Sequence, residues 1–228
     1  MFRRARVRYM MRAPWQKKIK DAIHAGANKP FMPSAKYVQL ATVKTTTDAA
    51  TGTVVTRPSV RTVVFRGFLE QSDRLTFVTD VRSEKIGHFT TCPWVELAWY
   101  FPGTREQFRL QGRVTVADKN TADPLLQAAR IAAWNKLSVP ARGQFAWPQP
   151  GLVRDDSPHG NAEFDIGEER VPDDTPLDPF CLVVLDVDQV DHLHLKTNKR
   201  FRYRALLPPP EEEGGDSSGS WAMEYVNP

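Results

Sequence analysis

The stretch VELAWYFPGTREQFRLQGRVTV (95–116) decides the fold class. VELAWYF (95–101) and REQFRLQGRVTV (105–116) read as two strands, and the Pro102-Gly103-Thr104 link between them is a hairpin signal. Toward the N-terminus, LTFVTD (75–80) predicts another strand that runs into a short helix over RSEKIGHF (82–89). TVVTRPSVRTVVFRGF (53–68) predicts a strand, a break at Pro58 and a second strand; YVQLATV (37–43) alternates and is β-branched. Trp15, Ile19, Ala22 and Ile23 fall on one stripe of a helix over 14–25, with Gly26 as its stop.

Toward the C-terminus a helix is predicted over 122–137, with Thr121 as N-cap, Pro124 in the first turn and Leu126, Ala129, Ala133 and Leu137 as its apolar face. Residues 141–180 read as loop. CLVVLDVDQVDHLHL (181–195), FRYRAL (201–206) and WAMEYV (221–226) return to strand. Seven or more strands that do not alternate with helices predict a mainly β antiparallel barrel with peripheral helices.

The 228 residues suit a single domain, taken as 13–228, and no apolar run approaches the roughly 20 residues of a membrane helix. Two cysteines exclude a disulfide scaffold and a Cys-rich zinc module, and each reads as a buried thiol. The net charge of +4 and pI of about 9.1 invite a nucleic-acid reading, but the charge is uneven. Residues 1–20 carry eight bases and no acid; the rest keeps 23 bases against 27 acids and is mildly acidic. Residues 1–12 read as a basic tail, an organelle-targeting segment or sequence before a later start, and a cytoplasmic protein is expected otherwise. Nucleic acid is not an expected partner. The acidic 155–178 stretch and PPPEEEGGDSSGS (208–220) are expected to be flexible loops.

Nucleophilic catalysis finds no support, since GxSxG is absent, and so are the Walker loop and GxGxxG. His192 and His194 could begin a metal site, but no third ligand lies at suitable spacing and no metal is expected. The stronger signal is for an anion. Thr79, Arg82, Ser83 and Lys85 cluster where a strand enters a helix, whose N-terminus presents free N–H groups. Arg61 or Arg82 can add a bidentate fork for a phosphate monoester. A capped helix with surface basic residues explains the same spacing equally well. Arg61 and Arg66 differ by an odd number, so an ideal strand sends them to opposite faces. Gln107 and Arg109 share one face, and a Gln amide suits a heteroaromatic edge; a polar outer face is the alternative.

VRTVVFRGF (60–68), LTFVTDVRSEK (75–85), WYFPGTREQFRLQGRV (99–114) and the closing KRFRYR…W…VNP (199–228) resemble the pyridoxamine 5′-phosphate oxidase-like FMN-binding split barrels, in particular the Alr4036-type subgroup. The resemblance implies a six-stranded antiparallel split barrel and a homodimer with FMN in a cleft at the dimer interface. It implies that Arg61, Thr62, Val63, Val64 and Arg66 are the family's R-x-V-L-L-K strand, with Arg in place of the final Lys. Val78 and Thr79 match flavin contacts. Ser83 and Lys85 match the S-R-K phosphate motif; Glu84 replaces its Arg, with Arg82 as the expected stand-in. Gln107 matches the Gln that meets the flavin, Arg200 the last Arg of R-L-H-D-R, and His194 falls near a Trp over the cofactor. The R-L-H that grips pyridoxal phosphate is absent, because the loop before Arg200 is shortened to KTN. WNKLSVPARGQFAWPQPG (134–151) replaces the usual substrate region, with Trp134, Ser138 and Arg142 as candidate pocket residues and Arg142 or Arg66 as a candidate clamp for a substrate phosphate. The implied function is an FMN-dependent oxidoreductase acting on a small substrate such as pyridoxamine or pyridoxine 5′-phosphate. The alternative is an FMN-binding module or redox sensor without that activity.

Overall fold

The computed structural model describes residues 8–10, 13–32, 34–154, 164, 171–172, 174–206 and 220–228. Most of the basic 1–12 segment, of the acidic 155–178 stretch and of 208–220 lies outside these residues. The described strands form one antiparallel sheet. They are β1 (Arg8–Met10), β2 (Tyr37–Thr47), β3 (Val54–Val64), β4 (Gly67–Phe68), β5 (Leu75–Asp80), β6 (Trp94–Phe101), β7 (Glu106–Ala117), β8 (Phe180–His194), β9 (Lys199–Ala205) and β10 (Trp221–Val226). The main strand order is β1-β10-β9-β8-β7-β6-β2-β3.

β8 is the axis of the fold. One edge pairs with β7; the other pairs first with β5, through Phe180–Leu185, and then with β9, through Gln189–His194. Six strands therefore wrap in the order β5-β8-β7-β6-β2-β3. No β3–β5 ladder closes them. The join is made by β4 on β5 and by the Arg66 N–H, which donates to the Thr76 carbonyl at 2.8 Å. The result is split-barrel-like, with β9, β10 and β1 extending the sheet.

The wrapped strands enclose one core. Val38 and Leu40, Phe77, Leu97 and Trp99, Phe108 and Leu110 point inward, and helix α1 (Pro14–His24) caps them with fully buried Trp15 and Ile19. The first half of β8 is buried on both faces. Cys181, Val183 and Leu185 face the barrel core, while Leu182 and Val184 pack under helix α3 (Pro124–Asn135) with Leu126, Ala129 and Ala133. An uninterrupted apolar run is the expected signature of a strand covered on both sides.

The alternation of β8 changes phase part-way. Gln111 pairs with Gln189 and Gly112 with Val187, so Asp188 is an extra residue in a β-bulge. Odd residues through Val187 face the core, whereas Val190 and His192 do so beyond it.

Several expectations are corrected. β3 runs unbroken through Pro58, opposite Val43, because β3 has a ladder partner only in β2 and an edge strand tolerates a missing N–H on its open side. The N-cap of α3 is Asp123, whose carboxylate accepts from the Leu125 and Leu126 N–H groups; Thr121 instead donates to Asp118. Gly26 does not stop α1 in a left-handed turn. The extended Ala25 does, and a 3-10 segment, Gly26–Phe31, follows. The stretch 141–180, expected as loop, begins inside a short helix, α4 (Val139–Gly143), and continues into one 3-10 turn, Gln144–Ala146.

Candidate functional site

At one end of the wrapped strands, β3, β5 and helix α2 (Glu84–Thr91) bring four of the expected residues together. Lys85 donates from Nζ to Thr79 Oγ1 at 2.8 Å and to Ser83 Oγ at 3.0 Å. Ser83 is the N-cap of α2, but its hydroxyl donates to the Asp80 carbonyl at 2.7 Å rather than to the helix. Arg61 faces inward beside its cross-strand partner Leu40 and donates from Nη1 to Thr42 Oγ1 (2.6 Å) and the Ser59 carbonyl (3.1 Å), and from Nη2 to Ser59 Oγ (2.7 Å). Its Nε–H and one Nη2–H find no protein acceptor among the described residues.

The electrostatics of this end are unusual. Among the described residues neither Arg61 nor Lys85 forms an ion pair: Glu84 is turned to Lys44, and Asp80 to Arg82. Burial pulls the Lys85 ammonium below the ordinary lysine range, and the Arg61 charge pulls it further. Burial likewise lowers the Arg61 guanidinium. Among the described residues these two half-buried cations, at the start of a helix, are held by hydroxyls and carbonyls and form no ion pair.

The other expected residues are distributed differently. Arg82 does not stand beside Lys85: its Nε and Nη2 bind the Asp80 carboxylate (3.0 and 2.6 Å), and Nη2 also reaches the Trp147 carbonyl at 3.0 Å. That fork is closed to a second anion. Val63 is buried in the core, and Thr62 and Val64 point to the outer face. Arg66 is exposed and comes under the influence of Tyr37, on the side away from Arg61, as the odd spacing requires. The Val78 side chain packs with the α3 clusters, opposite Thr79.

Gln107 and Arg200 lie on the outer face of β7 and β9, both in register with Leu193. Arg200 grips Asp191 with Nε and Nη2 (2.9 and 2.6 Å), and Arg109 binds Glu96. Arg109, Asp191 and Arg200, together with Gln111 and Arg202, line an open groove of about 420 Å³. Arg61 aligns through Leu40 and Leu97 with Leu110 on β7, three strands away and three residues short of Gln107. At about 4.8 Å per strand and 3.4 Å per residue the separation is on the order of 17 Å along the sheet. One chain does not bring the two groups together.

Trp134 and Arg142 do not line an open pocket. Trp134 is fully buried against Phe145 and Phe180, and buried Arg142 lies over its ring and donates to the Trp134 and Asn135 carbonyls. Ser138 alone of the three is exposed. His192 and His194 both point inward, toward Glu106 (3.0 and 4.0 Å), so His194 is on the face away from Gln107 and Arg200. Cys181 is buried, and burial pushes its thiol up to about 12, which makes it inert; Cys92 is only partly buried. Thr42 and Ser59, which hold Arg61, escaped the sequence reading because nothing connects them to it until the β2–β3 register is known.

The family model described as pyridoxamine 5′-phosphate oxidase, FMN-binding domain, matches residues 12–118, which contain the whole Arg61–Lys85 cluster. Pyridoxine/pyridoxamine 5′-phosphate oxidase 2 of Arabidopsis thaliana is 37% identical over 216 residues, covering 95% of this chain and 98% of that one. The chain belongs to the pyridoxamine 5′-phosphate oxidase family. A crystal structure of a pyridoxamine 5′-phosphate oxidase-related, FMN-binding protein of Nostoc punctiforme is 39% identical with a TM-score of 0.77, over 95% of this chain and 98% of that one. PhzG of Burkholderia lata, 19% identical over 95% of this chain and 97% of its own, shares the fold with a TM-score of 0.61.

FMN is the cofactor of this family's domain, and the residues present fit it. Arg61, Lys85, Ser83 and the start of α2 offer donors suited to a phosphate monoester. The open Nε/Nη2 edge of Arg61 matches a pair of phosphate oxygens. No helix among the described residues is long and apolar enough to cross a membrane.

Proposed function

We propose that the protein is an FMN-dependent oxidase of a small phosphorylated amine or alcohol, of which pyridoxamine and pyridoxine 5′-phosphate are the first candidates, acting as a cytoplasmic homodimer. The observation that carries the reading is the pair of cations at the mouth of α2, Arg61 and Lys85, which among the described residues form no ion pair. They would hold the FMN phosphate, with Ser83 and Thr79 keeping the Lys85 ammonium aimed at it. FMN, when bound, supplies a two-electron acceptor for a hydride, which the protein's own side chains cannot provide. The chain contributes binding and orientation, and no side chain is assigned as acid or base.

The homodimer rests on the outer face. Val60 (69% exposed), Tyr37 (49%) and Tyr100 (47%) are exposed apolar side chains on the outer face of neighbouring strands. The substrate rests on the Arabidopsis relative's name and on the family. Purified protein should be yellow, release FMN on denaturation, and form hydrogen peroxide when given pyridoxamine 5′-phosphate and oxygen. A colourless protein that takes up no added FMN would sink the reading.

A second reading, a flavin-binding module without turnover, is favoured by one observation. Trp134 and Arg142, two of the three expected pocket residues, are packed inside, while Ser138 and the alternative clamp Arg66 are exposed. FMN uptake without peroxide formation on either B6 phosphate would select it.

A further inference from the structure

We infer that His88 is a positioning residue for the cofactor phosphate, acting through Thr42 to fix the guanidinium of Arg61. The inference rests on the phosphate role proposed for Arg61. His88 is buried on the inner side of α2, with Nδ1 2.9 Å from Thr42 Oγ1. The same Thr42 oxygen accepts from Arg61 Nη1 at 2.6 Å. A hydroxyl has one proton to give. With Arg61 donating to Thr42, that proton goes either to His88 Nδ1 at 2.9 Å or to the Ser59 carbonyl at 3.3 Å, and the shorter contact favours His88.

The imidazole is suited to accept it. Among the described residues its Nε2 is buried without a hydrogen-bond partner, and the Glu84 carboxylate stands 3.9 Å from it through Oε1. A carboxylate on that side favours an Nε2–H over a lone pair, which leaves Nδ1 as the acceptor. Burial holds His88 below the ordinary histidine range, and the Arg61, Lys44 and Lys85 charges add to this against the pull of Glu84, so the ring is neutral at pH 7. The chain Arg61 → Thr42 → His88 therefore has one direction. It turns the Thr42 lone pair toward Arg61, pins Nη1, and leaves the Nε/Nη2 edge of the guanidinium open. A buried histidine would otherwise be an odd choice for the inner face of this helix, where Phe89 packs against the core.

The test compares FMN with riboflavin, which lacks the phosphate, by flavin-fluorescence titration of the apoprotein. His88→Leu is expected to weaken FMN binding about tenfold, close to 1.4 kcal/mol, and to leave riboflavin binding unchanged. His88→Asn, whose side-chain oxygen can replace Nδ1, is expected to restore FMN binding to within about threefold of wild type. A general structural defect would weaken both flavins together. Thr42→Val, which cuts the chain from the other side, should reproduce the His88→Leu pattern and decides the matter if that variant does not fold. Wild-type protein that binds no FMN overturns the reading of the site itself. Wild type that binds FMN, with His88→Leu or Thr42→Val keeping the wild-type FMN-to-riboflavin ratio, overturns the role of His88 alone. His88→Asn behaving like His88→Leu overturns it as well.

Discussion

At the scale of single residues, Lys85 is the side chain on which the phosphate reading depends most directly. Its ammonium is half-buried, touches only hydroxyls, and is kept below the usual lysine range by burial and by Arg61. Hydrogen bonds to charged groups contribute about 1.5–3 kcal/mol, so Lys85→Met should weaken FMN binding by about ten- to a hundredfold. The sign of the pH effect follows from the direction of the shift. A lysine with a lowered pKa loses its proton at a lower pH than an exposed one, and the neutral amine does not attract phosphate. FMN affinity of the wild type should therefore fall with rising alkaline pH, starting below the ordinary lysine range near 10.5, while the phosphate charge, whose second pKa lies near 6, stays constant. Lys85→Arg, always charged, should flatten that fall. An equally steep fall in Lys85→Arg would assign the titration to another group.

At the scale of elements, the bulge in β8 sets which residues reach the outer groove and which reach the core. Gly112 faces it, and a Cβ there would lie 2.0 Å from the Asp186 carbonyl oxygen. The obstacle is backbone, so β7 or β8 must move. Gly112→Ala should cost about 3 kcal/mol, the upper range for overpacking, and lower the melting temperature by about 6–12 °C for a chain of this size. An unchanged melting temperature would mean that the bulge relaxes freely. Replacing the α3 cap, Asp123→Ala, should cost only about 1 kcal/mol, because Asp123 is exposed and bonds two N–H groups. These two elements also show what sequence can reveal. The hairpin over 95–116, the strand into α2 and the Trp15–Ile23 stripe were legible because local periodicity and turn residues determine them. The bulge was not read: the polar pair Asp188-Gln189 breaks the alternation of VLDVDQVDH, but only pairing with β7 shows that Asp188 is the extra residue. The same holds at the site, where Ser83 and Lys85 announce themselves by spacing. Arg82 looked equally suitable in sequence, but Asp80, two residues earlier, binds its guanidinium.

At the scale of the whole molecule, the open question is what completes the cofactor site. Arg61 and Lys85 lie at one end of the wrapped strands, and Gln107 and Arg200 lie on the outer face far along the sheet. A single FMN touched by both sets needs a second copy of the chain. The surface that would meet it is the outer face of β3, β2 and β6, where Val60 lies opposite Ala41 and where Tyr37, Trp94 and Tyr100 are also exposed. Patches of this kind on a folded protein usually mark an interface. Val60 has room for a charge in the isolated chain, because it is 69% exposed; the same charge trapped between two copies would be buried without a partner and cost several kcal/mol. Val60→Asp should therefore leave the melting temperature of the isolated fold nearly unchanged. It should shift the mass seen by light scattering from twice 25.8 kDa to 25.8 kDa, and it should lose FMN in step with the partner as the protein is diluted. A wild-type monomer that binds one FMN per chain with full affinity would remove the second copy from the site, and Gln107 and Arg200 with it.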